Sequence, residues 1–408
     1  MNGFSWILPL SYLWNKVIMK VIIYNIFGLG HINPTLPLVR SLVAKGVQVI
    51  YHTSPERKAL IESTGAEWRN YGRDDYKAAD YNPGKNFVLQ TLPAAMGLYP
   101  ILSEELEKEK PDLILYDSMA PWGRILAHTH RIPSVCLVTT MALSLIEKRK
   151  MLMSNAVVID DLNIEILKKL KNDFQLDLDF ECVLGTYHDC NIVFSSKNVN
   201  PPLDELKSSH FHFVGGATGL ETLQLLHSIL PDDKKRKVIT MALGTIIPFE
   251  DPSVIEWYKT VIRTFSSDRR FHLIVAIPND EIRLKVGPLS PQVRVVQRIP
   301  QQEVLKHTSV FIHHGGMNSV SEGIAAGVPM LVIPHSYDQF TNAARVVELE
   351  AGHMIRREEL TEQNVREKVL DLMFSPKIQS KICRLKDETN QIIRAIDPAS
   401  IILERISC

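Results

Sequence analysis

The sequence predicts an α/β protein built from two doubly wound domains that face each other across a cleft. Short apolar runs typical of strands alternate with amphipathic stretches typical of helices, which is the order of a parallel sheet covered on both faces. The alternation breaks near residues 210–219 and then restarts. The chain has 408 residues, which is more than one ordinary hydrophobic core accommodates.

The alternation also sets the expected domain boundaries. Residues 19–217 should form the first domain, 218–235 a linker, and 236–385 the second domain. We expect residues 386–408 to form a helical segment that packs back on the first domain. Residues 1–18 are apolar but lack a basic leading segment and a cleavage site, so we expect an extension outside the fold.

In the first half, the apolar run KVIIYN is assigned to the first strand, and the helical pattern TLPLVRSLVAKG follows it and ends at Gly46. A second helical pattern, PERKALIEST, ends before Gly65. The other predicted strands of this half are VQVIYHT, DLILYD, SVCLVTT and CNIVFSS. The β-α-β-α order predicts that these strands run parallel.

The second half repeats this architecture without an obvious sequence repeat. Its predicted strands are VITMAL, FHLIVAI, VRVVQRI, SVFIHH and MLVIPH. Doubly wound sheets bind ligands at the carboxyl ends of their strands, so the predicted ligand site lies in the cleft between the domains.

Residues 76–110 and 141–188 fit this scheme poorly and carry scattered apolar side chains. One interpretation is a pocket wall that adapts to an apolar ligand, with Phe87, Met96 and Met141 as candidate wall residues. The other interpretation is a set of helices that pack on the core, and the pattern favours neither.

The composition excludes several classes of function. Lys and Arg together number 46, as do Asp and Glu, so a nucleic-acid partner is not expected. The five cysteines include no CxxC pair, which argues against a disulfide framework or structural zinc and favours a reducing cytoplasm. We expect no metal site, no membrane partner, and a monomer or homodimer.

The stretch HHGGMNSVSEG, residues 313–323, predicts an anion site. It joins a strand to a helix that we expect over Val320 to Ala326, with Asn318 or Ser319 as its cap. The first N–H groups of a helix and its dipole favour an anion such as phosphate. His314, Asn318 and Ser319 can add donors to the site, and Gly316 lies in the same turn as a further binding candidate.

Glu322 lies one turn further along the same helical face. A carboxylate there repels phosphate but accepts hydrogen bonds from a ribose diol. Phosphate donors followed by a ribose acceptor indicate a nucleotide site, and a merely capped helix remains the alternative.

A dyad of His31 and Asp117 is predicted at the edge of the first sheet. His31 follows Gly28-Leu29-Gly30 after the first strand, and Asn33 is the expected cap of the next helix. The helix amino terminus should keep the imidazole neutral. Asp117 ends the strand DLILYD at the same edge, where it can fix the tautomer and stabilise the cation that forms when the ring accepts a proton.

The stretch HHGGMNSVSEGIAAGVPMLVIPHSYDQFTNAARVVELEAG resembles the donor-binding signature of the UDP-glycosyltransferase superfamily, nearest to the bacterial macrolide-type glycosyltransferases. GLGHINPTLPLVRSLVAKG and IESTGAEW resemble the amino-terminal half of the same family. The resemblance implies a GT-B fold, with two Rossmann-like domains facing across the active site. It also implies an inverting transfer of a hexose from a nucleotide-sugar to a hydroxyl of a small apolar acceptor, without a cofactor. A UDP-sugar is the preferred donor, and a dTDP-sugar is the alternative.

The resemblance further implies roles for individual residues. His314 and Ser319 would contact the diphosphate, Glu322 the ribose, and His31 with Asp117 would form the base dyad. The remaining donor-binding residues that it implies are Gly244, Thr245, Gln301, Asp338 and Gln339. Arg298 stands where the family carries an aromatic residue that stacks on the base, and a guanidinium plane can also stack there.

Three other functions fit the sequence less well. In a nicotinamide-dependent oxidoreductase, GLGHIN would need a third glycine and the second strand a ribose-binding acid, and both are missing. A membrane-associated glycolipid glycosyltransferase shares the GT-B fold, but the neutral charge balance disfavours it. A binding protein without activity does not need the dyad.

Overall fold

The computed structural model describes residues 18–72, 87–201, 208–216, 226–231, 233, 235–244, 251–287 and 289–407. The expected amino-terminal extension therefore lies almost wholly outside the described residues. Within them the chain forms two sheets in which every strand pair is parallel.

The first sheet has seven described strands. Their bounds are β1 Lys20–Tyr24, β2 Gln48–His52, β3 Glu67–Arg69, β4 Leu113–Asp117, β5 Ser134–Val138, β6 Asn191–Val193 and β7 Phe211–Phe213. The spatial order is β3-β2-β1-β4-β5-β6-β7. The helices of this half are α1 Leu29–Ile32, α2 Leu36–Ala44, α3 Lys58–Glu62, α4 Thr91–Glu109, α5 Pro121–His130, α6 Leu145–Ser154 and α7 Asp161–Asp173.

The second sheet has six described strands. Their bounds are β8 Lys237–Ala242, β9 Phe271–Ala276, β10 Val293–Val296, β11 Thr308–His313, β12 Met330–Val332 and β13 Gly352–Met354, in the order β10-β9-β8-β11-β12-β13. The helices are α8 Leu226–Ile229, α9 Pro252–Phe265, α10 Asp280–Lys285, α11 Gln301–Leu305, α12 Met317–Ala326, α13 Asp338–Glu348, α14 Glu362–Phe374, α15 Pro376–Ala395 and α16 Pro398–Ser407.

All ten predicted strands are present, and the predicted two-domain α/β class is confirmed. Three further strands, β3, β7 and β13, were not predicted. Each has only three residues, which is too short for a periodic pattern to emerge. The break predicted at residues 210–219 is therefore wrong in part, because β7 continues the first sheet there.

Each sheet has a topological switch point. Here the chain stops adding strands on one side of its first strand and begins to add them on the other side. In the first sheet β1 and β4 are neighbours, and in the second β8 and β11 are neighbours. The connections that leave the two strands of each pair diverge to opposite sides, which opens a crevice at their carboxyl ends. The His31 turn follows β1, and the turn of residues 314–316 follows β11, so both crevices carry predicted site residues.

The last helix packs on the first domain. Ala399 and Ile402 of α16 are fully buried in the cluster that contains Leu36, Val39 and Leu42 of the first domain. The chain thus crosses back after completing the second sheet, and this return ties the two domains together. Among the described residues, no helix combines the length and apolar character that crossing a bilayer demands.

We expect Ile402→Ala to lower the free energy of unfolding by about 2–5 kcal/mol, because it leaves a cavity between α16 and α2. Glu404→Ala, on the exposed face of the same helix, is the matched control and should change stability by less than about 0.5 kcal/mol. Urea denaturation followed by circular dichroism measures both. Equal effects of the two substitutions would contradict the packing of α16.

Candidate active site

His31 is carried by the short helix α1. That helix begins at Leu29, after Gly28 in an extended conformation, and the His31 N–H donates to the Gly28 carbonyl at 2.9 Å. The prediction that Asn33 caps the next helix is wrong. Asn33 begins a 3₁₀ turn, Asn33–Thr35, that runs from α1 directly into α2, so the helical backbone starts earlier than the sequence pattern indicates.

The side chains of His31 and Asp117 lie in contact, as the sequence predicts. His31 Nδ1 lies 2.9 Å from Asp117 Oδ2, and the Asp117 side chain is fully buried while that of His31 is 13% exposed. Asp117 Oδ1 accepts the Met119 N–H at 2.9 Å. A carboxylate held in this way accepts a hydrogen bond from Nδ1–H, so the lone pair of the neutral ring resides on Nε2.

The electrostatic environment raises the pKa of His31 above its ordinary value. Burial of the ring lowers this pKa, but the charge and hydrogen bond of Asp117 outweigh it, and Asp338 across the cleft adds to the upward shift. The sequence pattern led us to expect that the helix amino terminus would lower this pKa, and the net shift runs in the opposite direction. The carboxylate behind the ring dominates, and it makes His31 a stronger base than free imidazole.

Thr139 is a third member of this cluster that the sequence reading did not single out. Its Oγ1 lies 2.8 Å from Asp117 Oδ2 and 2.8 Å from His31 Nδ1. The buried hydroxyl donates to the carboxylate and lies beside the Nδ1–H. A signal existed, because SVCLVTT ends at the same sheet edge as DLILYD, and β5 pairs with β4.

The predicted anion turn is present, but its cap is not. Helix α12 begins at Met317 rather than Val320, its N-cap is Gly316, and no side chain caps its first N–H groups within the described residues. The Asn318 side chain instead crosses the cleft, and its Nδ2 donates to the Gly30 carbonyl at 2.7 Å. This hydrogen bond joins the anion turn to the backbone immediately before His31.

His314 lies between two glycines. A Cβ on Gly244 would come within 2.6 Å of His314 Cε1, and one on Gly316 within 2.6 Å of its Nε2, so neither position tolerates a side chain without movement of the ring. Burial lowers the pKa of His314 to about 4. The ring is therefore neutral near pH 7. Thr245, the predicted neighbour of Gly244, lies outside the described residues.

Glu322 faces the amides of α11 rather than open solvent. Gln301 Nε2 donates to Glu322 Oε2, and Gln302 Nε2 donates to Oε1 at 3.3 Å. Gln301 Nε2 also lies 3.5 Å from Ser319 Oγ, so α11 borders the anion turn. Arg298 is exposed just before α11, so its guanidinium is accessible at this edge of the site.

Asp338 and Gln339 begin α13, beside the anion turn. The Gln339 amide oxygen accepts the His335 N–H at 2.8 Å and the Ser336 N–H at 3.3 Å, which fixes the loop before the helix. Burial raises the pKa of Asp338, although His31 opposes this shift. Asn342 Nδ2 lies 3.1 Å from Asp338 Oδ2 and donates to the Gly315 carbonyl at 2.7 Å.

Of the three candidate wall residues, Phe87 and Met96 pack against one core cluster of the first domain, and Met141 lies in another cluster. The Phe87 ring packs edge-on against that of Phe27, with centroids 6.2 Å apart, just before the His31 turn. Met96 lies on α4 against the core of the first domain. Met141 is 2% exposed, inside an apolar cluster that contains residues of both domains, so it offers no free surface to an acceptor.

The described residues contain no cluster of three or more His, Cys, Asp or Glu side chains that could hold a metal ion. The charged and polar groups of the cleft are instead spread over two facing turns. On one side lie a carboxylate-supported imidazole and its threonine, and on the other an uncapped helix amino terminus with a neutral histidine.

The chain is similar in sequence to several known proteins. The family model of the erythromycin biosynthesis protein CIII-like C-terminal domain matches residues 268–398. The NDP-glycosyltransferase YjiC of Bacillus licheniformis is 30% identical over 383 residues, which cover 91% of this chain and 93% of YjiC. A Bacillus subtilis protein named uncharacterized UDP-glucosyltransferase YojK is 28% identical over 373 residues, covering 87% and 89% of the two chains.

The fold matches solved structures over nearly its full length. The crystal structure of the glycotransferase of kitacinnamycin superposes with a TM-score of 0.80 at 26% identity, covering 95% of this chain and 99% of that one. The two Rossmann-like domains expected from the resemblance are thus those of the GT-B fold.

We expect Thr139→Val to raise the pKa of His31 further, because Asp117 Oδ2 loses a hydroxyl donor and its charge acts more fully on the ring. A shift of a few tenths of a unit to about one unit is the size that one lost hydrogen bond produces. Titration of the imidazole signals by NMR, with the His31 resonance assigned from the His31→Ala spectrum, measures it. Thr139→Ser keeps the hydroxyl and serves as the control, and a pKa that is the same in all three proteins would contradict the arrangement.

Proposed function

Because this chain belongs to the macrolide-type UDP-glycosyltransferase superfamily, we propose that it is an inverting hexosyltransferase. It transfers glucose from UDP-glucose to a hydroxyl of a small apolar acceptor, such as a macrolide, polyketide or flavonoid-like aglycone. The observation that carries the proposal is the apposition of the His31–Asp117 pair and the uncapped amino terminus of α12 across one cleft, joined by the Asn318–Gly30 hydrogen bond.

In this reaction His31 is the general base. Its Nε2 takes the proton of the acceptor hydroxyl as the oxygen attacks the anomeric carbon from the side opposite the leaving nucleotide. Asp117 Oδ2 stabilises the imidazolium through Nδ1–H. One bond to the anomeric carbon forms while the bond to the β-phosphate oxygen breaks, so the configuration at that carbon inverts.

The second domain holds the departing diphosphate. Negative charge that develops on the phosphate oxygens meets the free N–H groups at the start of α12 and the donors His314 and Ser319. Gly244 and Gly316 leave space for the His314 ring itself at this turn. Fixed backbone dipoles and neutral donors thereby do what a divalent metal does elsewhere, and we propose a metal-independent reaction with the nucleotide-sugar as co-substrate.

Two carboxylates are assigned to the sugar rings of the donor: Glu322 to the ribose and Asp338 to the hexose. The ribose diol takes the place of the Gln301 and Gln302 amides as the donor to Glu322. Asp338 and Gln339 hold the hexose hydroxyls beside His31, in agreement with the mutual charge effect of Asp338 and His31 on their pKa values. UDP and glucose are proposed from the name of the relative YojK, and the acceptor class from the erythromycin-type family model.

A donor-by-acceptor screen read by mass spectrometry tests the proposal. UDP-glucose and dTDP-glucose are each incubated with soluble hydroxylated aglycones, in the absence of detergent. We expect a hexose mass gain with UDP-glucose, and NMR of the product should show a β-linkage from the α-linked donor. Transfer that occurs only with a lipid acceptor, or an α-linked product, would contradict the proposed acceptor class or the inverting mechanism.

The base assignment predicts distinct effects of two variants. His31→Ala should lower kcat by roughly 10²–10⁴-fold, because the proton acceptor is lost while donor binding is retained. Asp117→Asn should lower kcat by a comparable factor and move the acid limb of the kcat/KM profile to lower pH, because the pKa of His31 falls. UDP affinity, measured by calorimetry, is the control for the donor site. Wild-type turnover in either variant would refute the assignment.

Arg298 is expected to stack on the nucleotide base. Arg298→Ala should raise the KM for UDP-glucose clearly more than it changes kcat, since stacking contributes on the order of 1–3 kcal/mol to binding. Arg298→Trp supplies another stacking surface and should roughly preserve binding. Calorimetric titration of UDP and dTDP into all three proteins measures the effect, and unchanged UDP affinity in the alanine variant would show that Arg298 does not hold the base.

A further inference from the structure

The loop before Asp338 has an unusual backbone conformation. Tyr337 has φ 47° and ψ −125°, a combination that favours glycine and strains residues that carry a Cβ. Tyr337 directly precedes α13, so its conformation sets the direction in which Asp338 and Gln339 leave the loop. A strained residue at this position persists only where surrounding contacts select it.

Most of the contacts that hold the loop come from its own domain. Gln339 accepts the His335 and Ser336 N–H groups, and Asn342 links Asp338 to the Gly315 carbonyl. A further contact comes from the other domain. The Tyr337 N–H donates to Asn155 Oδ1 at 3.2 Å, across the cleft.

Asn155 is oriented for this contact by its own helix. It is the C-cap of α6, and its Nδ2 donates to the Met151 carbonyl at 2.8 Å. Because the amide nitrogen donates to a carbonyl of α6, the amide oxygen points outward to the second domain. One side chain therefore ends a helix of the poorly matching insertion and supports the strained residue beside the carboxylate assigned to the hexose.

We propose that Asn155 is a positioning residue that completes the hexose end of the donor site when the two domains meet. It acts through the Tyr337 backbone, which it holds in the conformation that presents Asp338 and Gln339 to the sugar. The diphosphate and ribose ends depend on α12 and α11 within the second domain, so Asn155 affects recognition of the sugar but not of the nucleotide. This inference rests on the proposed function.

Calorimetry with UDP and UDP-glucose tests the proposal. We expect Asn155→Ala to weaken UDP-glucose binding roughly three- to tenfold, the size of one hydrogen bond, and to leave UDP binding unchanged. Asn155→Asp keeps the acceptor oxygen but loses the N–H that orients it toward Met151, so it should recover only part of the UDP-glucose affinity. Asn198→Ala is the matched control, because it removes a different hydrogen bond between the domains, to Glu388 at 2.5 Å, and should change neither affinity.

A double-mutant cycle shows whether Asn155 acts through Tyr337. Glycine adopts a positive φ without strain. In the Tyr337→Gly background, Asn155→Ala should therefore weaken UDP-glucose binding less than in the wild type. Equal loss of UDP and UDP-glucose affinity in Asn155→Ala, no loss of either, or the same loss in both backgrounds would overturn the inference. Failure of the wild type to bind UDP-glucose at all would instead refute the proposed function.

Discussion

The hydrogen bond from the Asn318 amide to the Gly30 carbonyl fixes the distance between the two halves of the candidate site. One partner lies in the first turn of α12, where the free N–H groups suit a diphosphate, and the other directly precedes His31. A general base and a leaving-group site cooperate only when the hydroxyl held by the base and the leaving group held by the other site lie on opposite sides of one reacting carbon. Further hydrogen bonds between the domains, among them Tyr337 to Asn155 and Arg345 to the carbonyls of residues 198 and 199, hold the facing surfaces in register around this contact.

Topology explains why these turns face each other. In each sheet the chain starts at a central strand, grows to one side, and returns to the other side of that same strand, so that β1 borders β4 and β8 borders β11. The alternation of apolar runs and amphipathic helices was sufficient to predict the parallel sheets. Residues that end central strands, such as Asp117 and His313-His314, could be assigned to the cleft because parallel strands share one carboxyl edge.

The sequence did not reveal contacts that depend on how separate elements approach. Thr139 and Asn155 were not singled out, because their partners are distant in the chain and a lone Thr or Asn has no pattern of its own. The helix starts were misplaced for a related reason. Gly28 and Gly316 allow α1 and α12 to begin without a side-chain cap, whereas the sequence pattern favoured a polar cap, Asn33 in the first case and Asn318 or Ser319 in the second. Asn318 was thereby given a local role, although its partner lies in the other domain.

The pKa values of the two cleft histidines, His31 and His314, shift in opposite directions, which suits the two rings to different proposed roles. Burial lowers the pKa of His314 to about 4, so its ring is neutral beside the proposed diphosphate and adds no cation that the departing nucleotide would have to escape. Burial opposes protonation of His31 as well, but Asp117 and Asp338 reverse the outcome and raise its pKa. Positive charge thus forms more readily at His31, the ring proposed to face the acceptor. The carboxylate behind His31, rather than the burial that both rings share, separates the proposed base from the proposed phosphate donor.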